Sequence, residues 1–253
     1  MALRLSNLAN PMDHIIVSMA RESGRRLLGY RNQQAYPLRE AHIVALFQAF
    51  CQDPSSSMED VSFMLLICIA WEACLRWDDV CDTEFGDMIW TDEYVKILLI
   101  NTKTDTYKSG QWCIILVSTL AHSAYQLLVR VITYLCDSPE FRSSGKTVAE
   151  APVAMVFRSE GQRRVPDPTR RLTYDLVNKR LKLWCEAVGL NPKLFTTHSF
   201  KRGGINERLD RGVPDRITRI DGRWRSEASF QGYCDDEIQL VQRVEALRVL
   251  RPK

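Results

Sequence analysis

Residues 58–75 most constrain the fold, because apolar side chains lie on nearly every side of the helix that they predict. Ser57 precedes this segment and Asp60 follows three residues later, a pattern that resembles the capping box at the start of a helix. A helix that is apolar all round is stable only where other elements surround it. We therefore predict a buried central helix whose far end delivers the sequence Leu75–Asp79.

Other segments carry helical patterning at 38–51, 123–136 and 173–188. Pro37 is placed to start the first of them, since proline is tolerated at the first helical position. Beyond residue 188 the chain predicts helices with breaks at Gly203-Gly204, Gly212–Pro214 and Gly222. Residues 137–170 predict a polar loop.

Short runs rich in Ile, Val and aromatic residues lie between these helices, at 88–90, 94–100 and 111–117. Such runs, separated by polar turn residues, are typical of strands in an antiparallel sheet. The turn between the last two runs, 101–110, carries Lys103 and Lys108. The fold class predicted is mainly α with a small antiparallel three-stranded β-sheet inserted after the second helix.

Positive charge is concentrated in one part of the chain. Residues 158–225 contain 17 Lys and Arg against 8 Asp and Glu, a net charge of +9, although the whole chain has a net charge of only +3. Such a stretch is expected on a surface that meets a polyanion such as nucleic acid. Arginine-rich helices that simply face solvent give the same pattern, and charge alone leaves the two interpretations open.

Cysteine usage and hydropathy bear on the compartment. The 8 cysteines form no C-x-x-C pair and no cluster at zinc spacing, and several lie in apolar runs. We expect reduced thiols and an intracellular protein, nuclear if the host is a eukaryote. The longest apolar run, 63–71, is too short for a membrane helix, and the first residues lack the apolar core of a secretory signal.

Polar residues that can carry chemistry fall into separate clusters. Arg76 follows the apolar helix, with Asp79 placed to orient it, although a structural ion pair would look the same. Lys103 at a turn would by itself be only a solvated lysine. The third cluster is Thr196-Thr-His198-Ser-Phe-Lys201-Arg202-Gly-Gly, followed by Gly222-Arg-Trp224-Arg-Ser and Tyr233. His198 begins a predicted helix with both cations one turn later, a geometry that binds phosphate.

The order of these clusters resembles the catalytic domain of tyrosine recombinases, a DNA breaking-rejoining fold. The sequence segments THSFKRGG and GRWRSEASFQGY are most similar to those of recombinases of eukaryotic mobile elements of the Crypton and DIRS type. The resemblance covers residues 36–253, and 1–35 is expected to be a linker or the remnant of a DNA-clamping domain. It implies these roles: Arg76 as first catalytic arginine, Asp79 as its acidic support, Lys103 (or, less well matched, Lys108) as hairpin lysine, His198 as histidine, Trp224 at the His/Trp position and Tyr233 as nucleophile.

The sequence departs from the family pattern in two ways. Where the second catalytic arginine is usual, three residues after His198, it has Lys201, with Arg202 one place later. Lysine keeps the charge but loses the planar fork that grips two phosphate oxygens. Either Lys201 or Arg202 fills the role, or cleavage is impaired. Only about 35 residues precede Pro37, so we also expect a catalytic domain without the family's usual clamp domain.

The chemistry implied by the resemblance needs neither metal nor ATP, and no cofactor is expected. Tyr233 would form a 3′-phosphotyrosyl link to DNA, the arginines and His198 would hold the phosphate, Trp224 would donate its indole N–H, and Lys103 would protonate the leaving oxygen. Double-stranded DNA is the expected partner. The predicted helix 236–250 has a continuous apolar stripe that either packs on its own domain or, by resemblance, docks on a neighbouring subunit of a tetramer.

Other functions compete with a site-specific recombinase. A domesticated module of the same fold would bind DNA without cleaving it, and a type IB topoisomerase-like enzyme would relax supercoils by the same chemistry. An unrelated helical interaction protein would use His198 and Tyr233 only as core or surface residues.

Overall fold

The computed structural model describes residues 35–100, 110–224 and 226–234. The helices of these residues are α1 (Glu40–Phe50), α2 (Met58–Glu72), α3 (Trp77–Cys81), α4 (Ala124–Asp137), α5 (Pro139–Arg142), α6 (Tyr174–Ala187), α7 (His198–Asp210), α8 (Asp215–Asp221) and α9 (Glu227–Gln231). Short 3-10 turns lie at Phe85–Asp87, Val148–Glu150 and Pro192–Leu194. The strands are β1 (Met88–Trp90), β2 (Tyr94–Leu99), β3 (Gln111–Leu116), β4 (Met155–Glu160) and β5 (Arg163–Arg171).

Helix α2 is the centre of the fold, as its composition predicts. Every residue from Val61 to Ala70 is buried, and the helix packs against α4 on one side and α7 on another. Each large apolar side chain buried here contributes about 1.5–3 kcal/mol relative to an exposed one. The Ser57 hydroxyl accepts a hydrogen bond from the Asp60 backbone at 3.1 Å, so the predicted cap is confirmed.

The three predicted strands form an antiparallel sheet in the order β1-β2-β3. Met88 pairs with Ile97, and Ile97 pairs with Cys113. Along β2 the buried residues alternate with partly exposed ones, which gives the sheet one face on the core. Leu99 pairs with Gln111, and the connection between them includes the predicted turn.

A second sheet corrects the predicted polar loop at 137–170. Strands β4 and β5 pair antiparallel, and Gly161 turns the chain between them with a φ of 59°. Polar side chains dominate β5, which hides the strand pattern, but Phe157 and Val165 on the inner face are buried. The fold is therefore mainly α with a three-stranded sheet and an additional hairpin.

Helix α7 runs through Gly203 and Gly204, where a break was predicted, so that expectation is wrong. A Cβ atom on Gly203 would lie 2.1 Å from the Leu38 carbonyl oxygen, and one on Gly204 would lie 1.9 Å from the Trp71 carbonyl oxygen. The two glycines let the backbone of α7 touch the chain before α1 and the end of α2. They act in close packing and leave the helix intact.

Helix α1 begins at Glu40 and not at Leu38. Arg39 is its N-cap, and the ring nitrogen Nδ1 of His42 accepts the Arg39 backbone N–H at 3.0 Å. Pro37 lies just before this cap. Among the described residues, no helix combines the length and the apolar character that crossing a membrane requires.

Some predictions fall outside the described residues. These are the N-terminal segment 1–34, the turn residues 101–109 and the C-terminal helix 236–250. The domain boundary near residue 35 and the docking role of the last helix therefore stay predictions.

Candidate active site

The junction between α2 and α3 places Arg76 and Asp79. Cys74 adopts a φ of 51°, which turns the chain sharply after α2, and Arg76 becomes the N-cap of α3. The Asp79 carboxylate accepts the Arg76 backbone N–H at 3.0 Å. Asp79 therefore supports Arg76 through its backbone, and in the described chain no hydrogen bond or ion pair engages the Arg76 guanidinium.

The ion-pair partner of Asp79 is Arg223. Nη2 of Arg223 lies 2.8 Å from Oδ2 of Asp79, and the side chains are only 8% and 2% exposed respectively. This contact joins residues that are 144 positions apart in the chain. It fixes the segment after α8, which carries Trp224, to the start of α3.

Lys201 is buried at the centre of the cluster, with 1% of its surface exposed. Its Nζ atom donates to the Gly222 carbonyl at 2.9 Å. The same atom lies 4.1 Å from the centroid of the Trp224 ring and 5.8 Å from that of the Tyr233 ring. Lys201 thus brings together the Trp224 and Tyr233 segments from within the core.

The pKa of Lys201 is lowered from 10.5 to about 7, and burial is the largest cause. The positive charges of Arg223 and Arg76 contribute to this lowering, whereas the negative charge of Asp79 opposes it. Lys201 therefore lies near two guanidinium groups and one carboxylate. A bound anion would favour the charged form of Lys201 in this environment.

Trp224 packs over this cluster because Gly222 has no side chain. A Cβ atom on Gly222 would lie 1.7 Å from the Trp224 ring carbon Cζ3. The indole also meets Phe230 and Tyr233 edge-on, at centroid distances of 5.5 and 4.9 Å. These contacts fix the indole and the phenol side by side.

Tyr233 follows α9 and is held through its backbone. Its N–H donates to the Phe230 carbonyl at 2.8 Å, and its carbonyl accepts from the Asn206 amide at 3.0 Å. Asn206 is fully buried on α7. A small core of Cys74, Ile205, Leu209, Phe230 and Cys234 lies beneath the tyrosine, so its ring sits on a packed base.

The two candidates for the second phosphate-binding cation differ in their surroundings. Lys201 faces inward, whereas Arg202 is half-buried and its Nη1 atom makes a long contact of 3.5 Å with the Gly232 carbonyl. His198 is exposed at the first residue of α7, one turn before Lys201. Lys103 and Lys108 lie outside the described residues.

The structure therefore places Trp224 and Tyr233 against Lys201, and the charges of Arg76 and Asp79 act on the same lysine. Arg223 also belongs to this group, although sequence reasoning gave it no role. The only sequence signal is its place beside Trp224 in the GRW motif, because both its φ of 61° and its pairing with Asp79 arise in the folded chain. Chemically, the cluster combines a phenol, basic side chains and an indole N–H, which are groups that can interact with an anionic phosphate.

The sequence matches no protein-family model and no curated protein. Among solved structures, XerH site-specific recombinase in a post-cleavage complex with palindromic difH aligns with a TM-score of 0.56 and 11% identity, covering 83% of this chain and 52% of that one. The Tn1549 transposon integrase with transposon right end DNA gives 0.55 and 14%, covering 88% and 68%. XerA recombinase gives 0.54 and 16%, covering 94% and 76%.

This chain spans about half the length of XerH. At identities this low, the alignments bear on the fold and not on activity. Their TM-scores of 0.54 to 0.56 extend over 83% to 94% of this chain. The chain therefore has the fold of the tyrosine recombinase catalytic domain.

Proposed function

We propose that this chain is the catalytic domain of a site-specific DNA recombinase that cleaves and rejoins DNA through a 3′-phosphotyrosyl intermediate on Tyr233. The observation that carries the proposal is the packing of Lys201 against Trp224 and Tyr233, with Arg223 beside them in an ion pair with Asp79. A scissile phosphate would be an anion suited to these basic groups. XerH, which shares the fold, was crystallised with its difH DNA substrate.

The proposed reaction conserves the number of phosphodiester bonds. The Tyr233 oxygen loses its proton and bonds to phosphorus, while the bond from phosphorus to the 5′ oxygen breaks and that oxygen gains a proton. Rejoining reverses these steps with a 5′ hydroxyl as nucleophile. Because the phosphotyrosyl bond retains the energy of the bond broken, no ATP is required.

The roles proposed for individual residues combine the family resemblance with the surroundings of those that the structure describes. Arg76, whose guanidinium is unengaged in the described chain, would neutralise the non-bridging oxygens together with a second cation. Trp224 would donate its indole N–H to the phosphate. His198, exposed one turn before the cluster, would assist proton movement, and Lys103 would protonate the leaving oxygen as the resemblance implies.

The basic stretch 158–225 would contact the backbone of the DNA duplex. Phosphate contacts of this kind position a protein without reading the sequence. Assembly of a tetramer through 236–250 and a mobile-element origin belong to the same proposal. They are supported by the sequence resemblance alone.

A second function is favoured by one observation. Lys201, at the usual second-arginine position, is buried and bonded to the Gly222 carbonyl. This placement is equally consistent with a protein that binds DNA without cleaving it. Such a protein would bind duplex DNA with steep salt dependence and form no covalent adduct.

A trapping experiment separates these functions. A pool of nicked duplexes with a randomised central sequence is incubated with the protein, and covalent protein–DNA adducts are resolved on a denaturing gel. We expect an adduct with the native chain and none with Tyr233→Phe. Tyr174→Phe, which alters an exposed tyrosine on α6, serves as the matched control and should retain the adduct.

The recovered strands identify the cleaved sequence. Joining of two marked copies of that sequence would support a recombinase, whereas relaxation of a supercoiled plasmid without joining would support the topoisomerase-like alternative. Binding without any adduct would contradict the proposal and favour the DNA-binding function.

A further inference from the structure

Arg223 is an unusual residue in this fold because its side chain is nearly buried and yet incompletely bonded. Nη2 pairs with Asp79 at 2.8 Å, and the side chain is 8% exposed. In the described part of the chain, the buried Nη1 atom has no hydrogen-bond partner. A buried donor left unbonded costs about 1–3 kcal/mol, so folded proteins rarely retain one without a use.

The backbone at Arg223 also carries strain. Its φ of 61° lies in the left-handed region, which costs a non-glycine residue roughly 1–2 kcal/mol. Such strain persists where surrounding contacts over-determine the conformation, and it clusters at functional sites. Here the surrounding contacts are the Asp79 ion pair and the hydrogen bond from the Arg223 backbone N–H to the Ile220 carbonyl at 2.9 Å.

Arg223 is placed beside the groups assigned to the reaction. Gly222, its neighbour, accepts the Lys201 ammonium, and Trp224, its other neighbour, packs on the Tyr233 ring. The charges of Arg223 and Arg76 both act on Lys201. The site therefore holds a second guanidinium, although the sequence has lysine where the second arginine was expected.

We propose that Arg223 supplies the second guanidinium that binds the scissile phosphate, with Nη1 as the donor and Asp79 holding the opposite edge. Lys201 bonds to Gly222 of this segment in the DNA-free chain, and the planar guanidinium that lysine lacks would be supplied by Arg223. This inference rests on the proposed function. Since Nη1 is covered in the DNA-free structure, it also requires the segment 222–224 to shift when DNA binds.

The test compares Arg223→Lys and Arg223→Gln with Arg142→Gln, which removes an exposed arginine of α5 that lies outside the basic stretch 158–225 and bonds to the Asp137 carbonyl. The substrate is the nicked duplex whose sequence is recovered from the trapping pool. We expect Arg223→Gln to lower the rate of adduct formation on the order of 100-fold, as loss of a transition-state donor does. Arg223→Lys keeps the charge beside Asp79 and should still be strongly impaired, whereas Arg142→Gln should react like the native chain.

A neutral substrate separates phosphate binding from a purely structural role. Replacing the scissile phosphate by a methylphosphonate removes the charge that Arg223 is proposed to neutralise. On this substrate, the rate of adduct formation by Arg223→Gln should be close to that of the native chain. A deficit of the same size on both substrates, or native rates for both Arg223 variants, would overturn the proposal.

A binding measurement keeps the inference testable if no adduct forms and the recombinase function fails. On a Tyr233→Phe background, the slope of log K against log salt for nicked duplex should fall by about 0.9 with Arg223→Gln, the value for one lost phosphate contact. An unchanged slope would overturn the role of Arg223. Circular dichroism and thermal unfolding of each variant establish that it is folded.

Discussion

The ammonium of Lys201 lies 4.1 Å from the centroid of the Trp224 ring and donates to the carbonyl of Gly222, two residues before that indole. This contact ties α7 to the segment that ends beside Tyr233. A charged group with 1% exposure is costly unless its partners compensate, and here a carbonyl and an aromatic face do so in part. The stability of the domain should therefore report on this residue.

The first prediction concerns pH. Because the pKa of Lys201 is about 7 in the folded chain and near 10.5 when unfolded, the folded state binds fewer protons between these values. The contribution of Lys201 to the free energy of unfolding therefore rises as pH rises from about 7 to about 10.5, by up to about 1.4 kcal/mol per pH unit. Lys201→Met removes this dependence.

Urea unfolding of the native chain and Lys201→Met at a series of pH values checks this. The methionine variant should be the more stable by about 1–4 kcal/mol at neutral pH, and the difference should shrink as pH rises. Lys179→Met, at an exposed position of α6, is the control and should show no such trend. A constant difference across pH would count against a buried, titrating Lys201.

A second prediction concerns the packing of α7 on α2. In Gly204→Ala the new methyl group would lie 1.9 Å from the Trp71 carbonyl oxygen, which is backbone and cannot swing away. We expect a loss of at least about 3 kcal/mol in the free energy of unfolding, in spite of the better helix propensity of alanine.

Gly232→Ala is the matched control for that loss. At Gly232 the nearest atom to a new Cβ is the Ser229 carbonyl oxygen, an ordinary contact at 3.7 Å. Its φ of −65° suits any residue, so the change should stay within about 1 kcal/mol. Equal stabilities for the two variants, measured by chemical denaturation, would refute the close approach of α7.

The third prediction tests the ion pair that fixes the Trp224 segment. Asp79→Asn keeps an acceptor for the Arg76 N–H but leaves the Arg223 charge buried without its partner. Breaking a buried pair in this way costs about 3–5 kcal/mol. Asp78→Asn changes an exposed carboxylate one residue away and should have little effect on thermal unfolding. If the two variants unfold at the same temperature, the Asp79–Arg223 contact does not stabilise the fold.

Much of this fold could be predicted from periodicity. The apolar surround of α2 and the alternation along β2 depend on local sequence, so their burial follows from the residues alone. The hairpin β4–β5 could not, because polar residues and arginines dominate β5 and few apolar residues, such as Met155, Phe157 and Val165, are buried. Gly203 and Gly204 signal a break locally, whereas their use in packing depends on the distant Trp71 and Leu38.

The candidate site also contains residues that the sequence predicts and residues that only the folded chain reveals. Arg76, Asp79, Trp224 and Tyr233 were chosen by their order in the chain, and in the fold each of them lies near Lys201. Lys201 was offered as a phosphate-binding cation, and its burial depends on how Trp224 and Gly222 fold over it. Arg223 had no signal of its own, because its importance comes from a left-handed backbone and a contact across 144 residues.

The most direct measurement of the central claim is the identity and polarity of the covalent adduct. Nicked duplex labelled at the 5′ end of the cleaved strand is trapped with the native chain, digested, and analysed by mass spectrometry for the modified residue. The account predicts a phosphate ester on Tyr233 that retains the 5′-labelled fragment, while a 3′ label is released on a strand with a free 5′ hydroxyl. An adduct on another residue, retention of the 3′ label, or tight DNA binding with no adduct would contradict it.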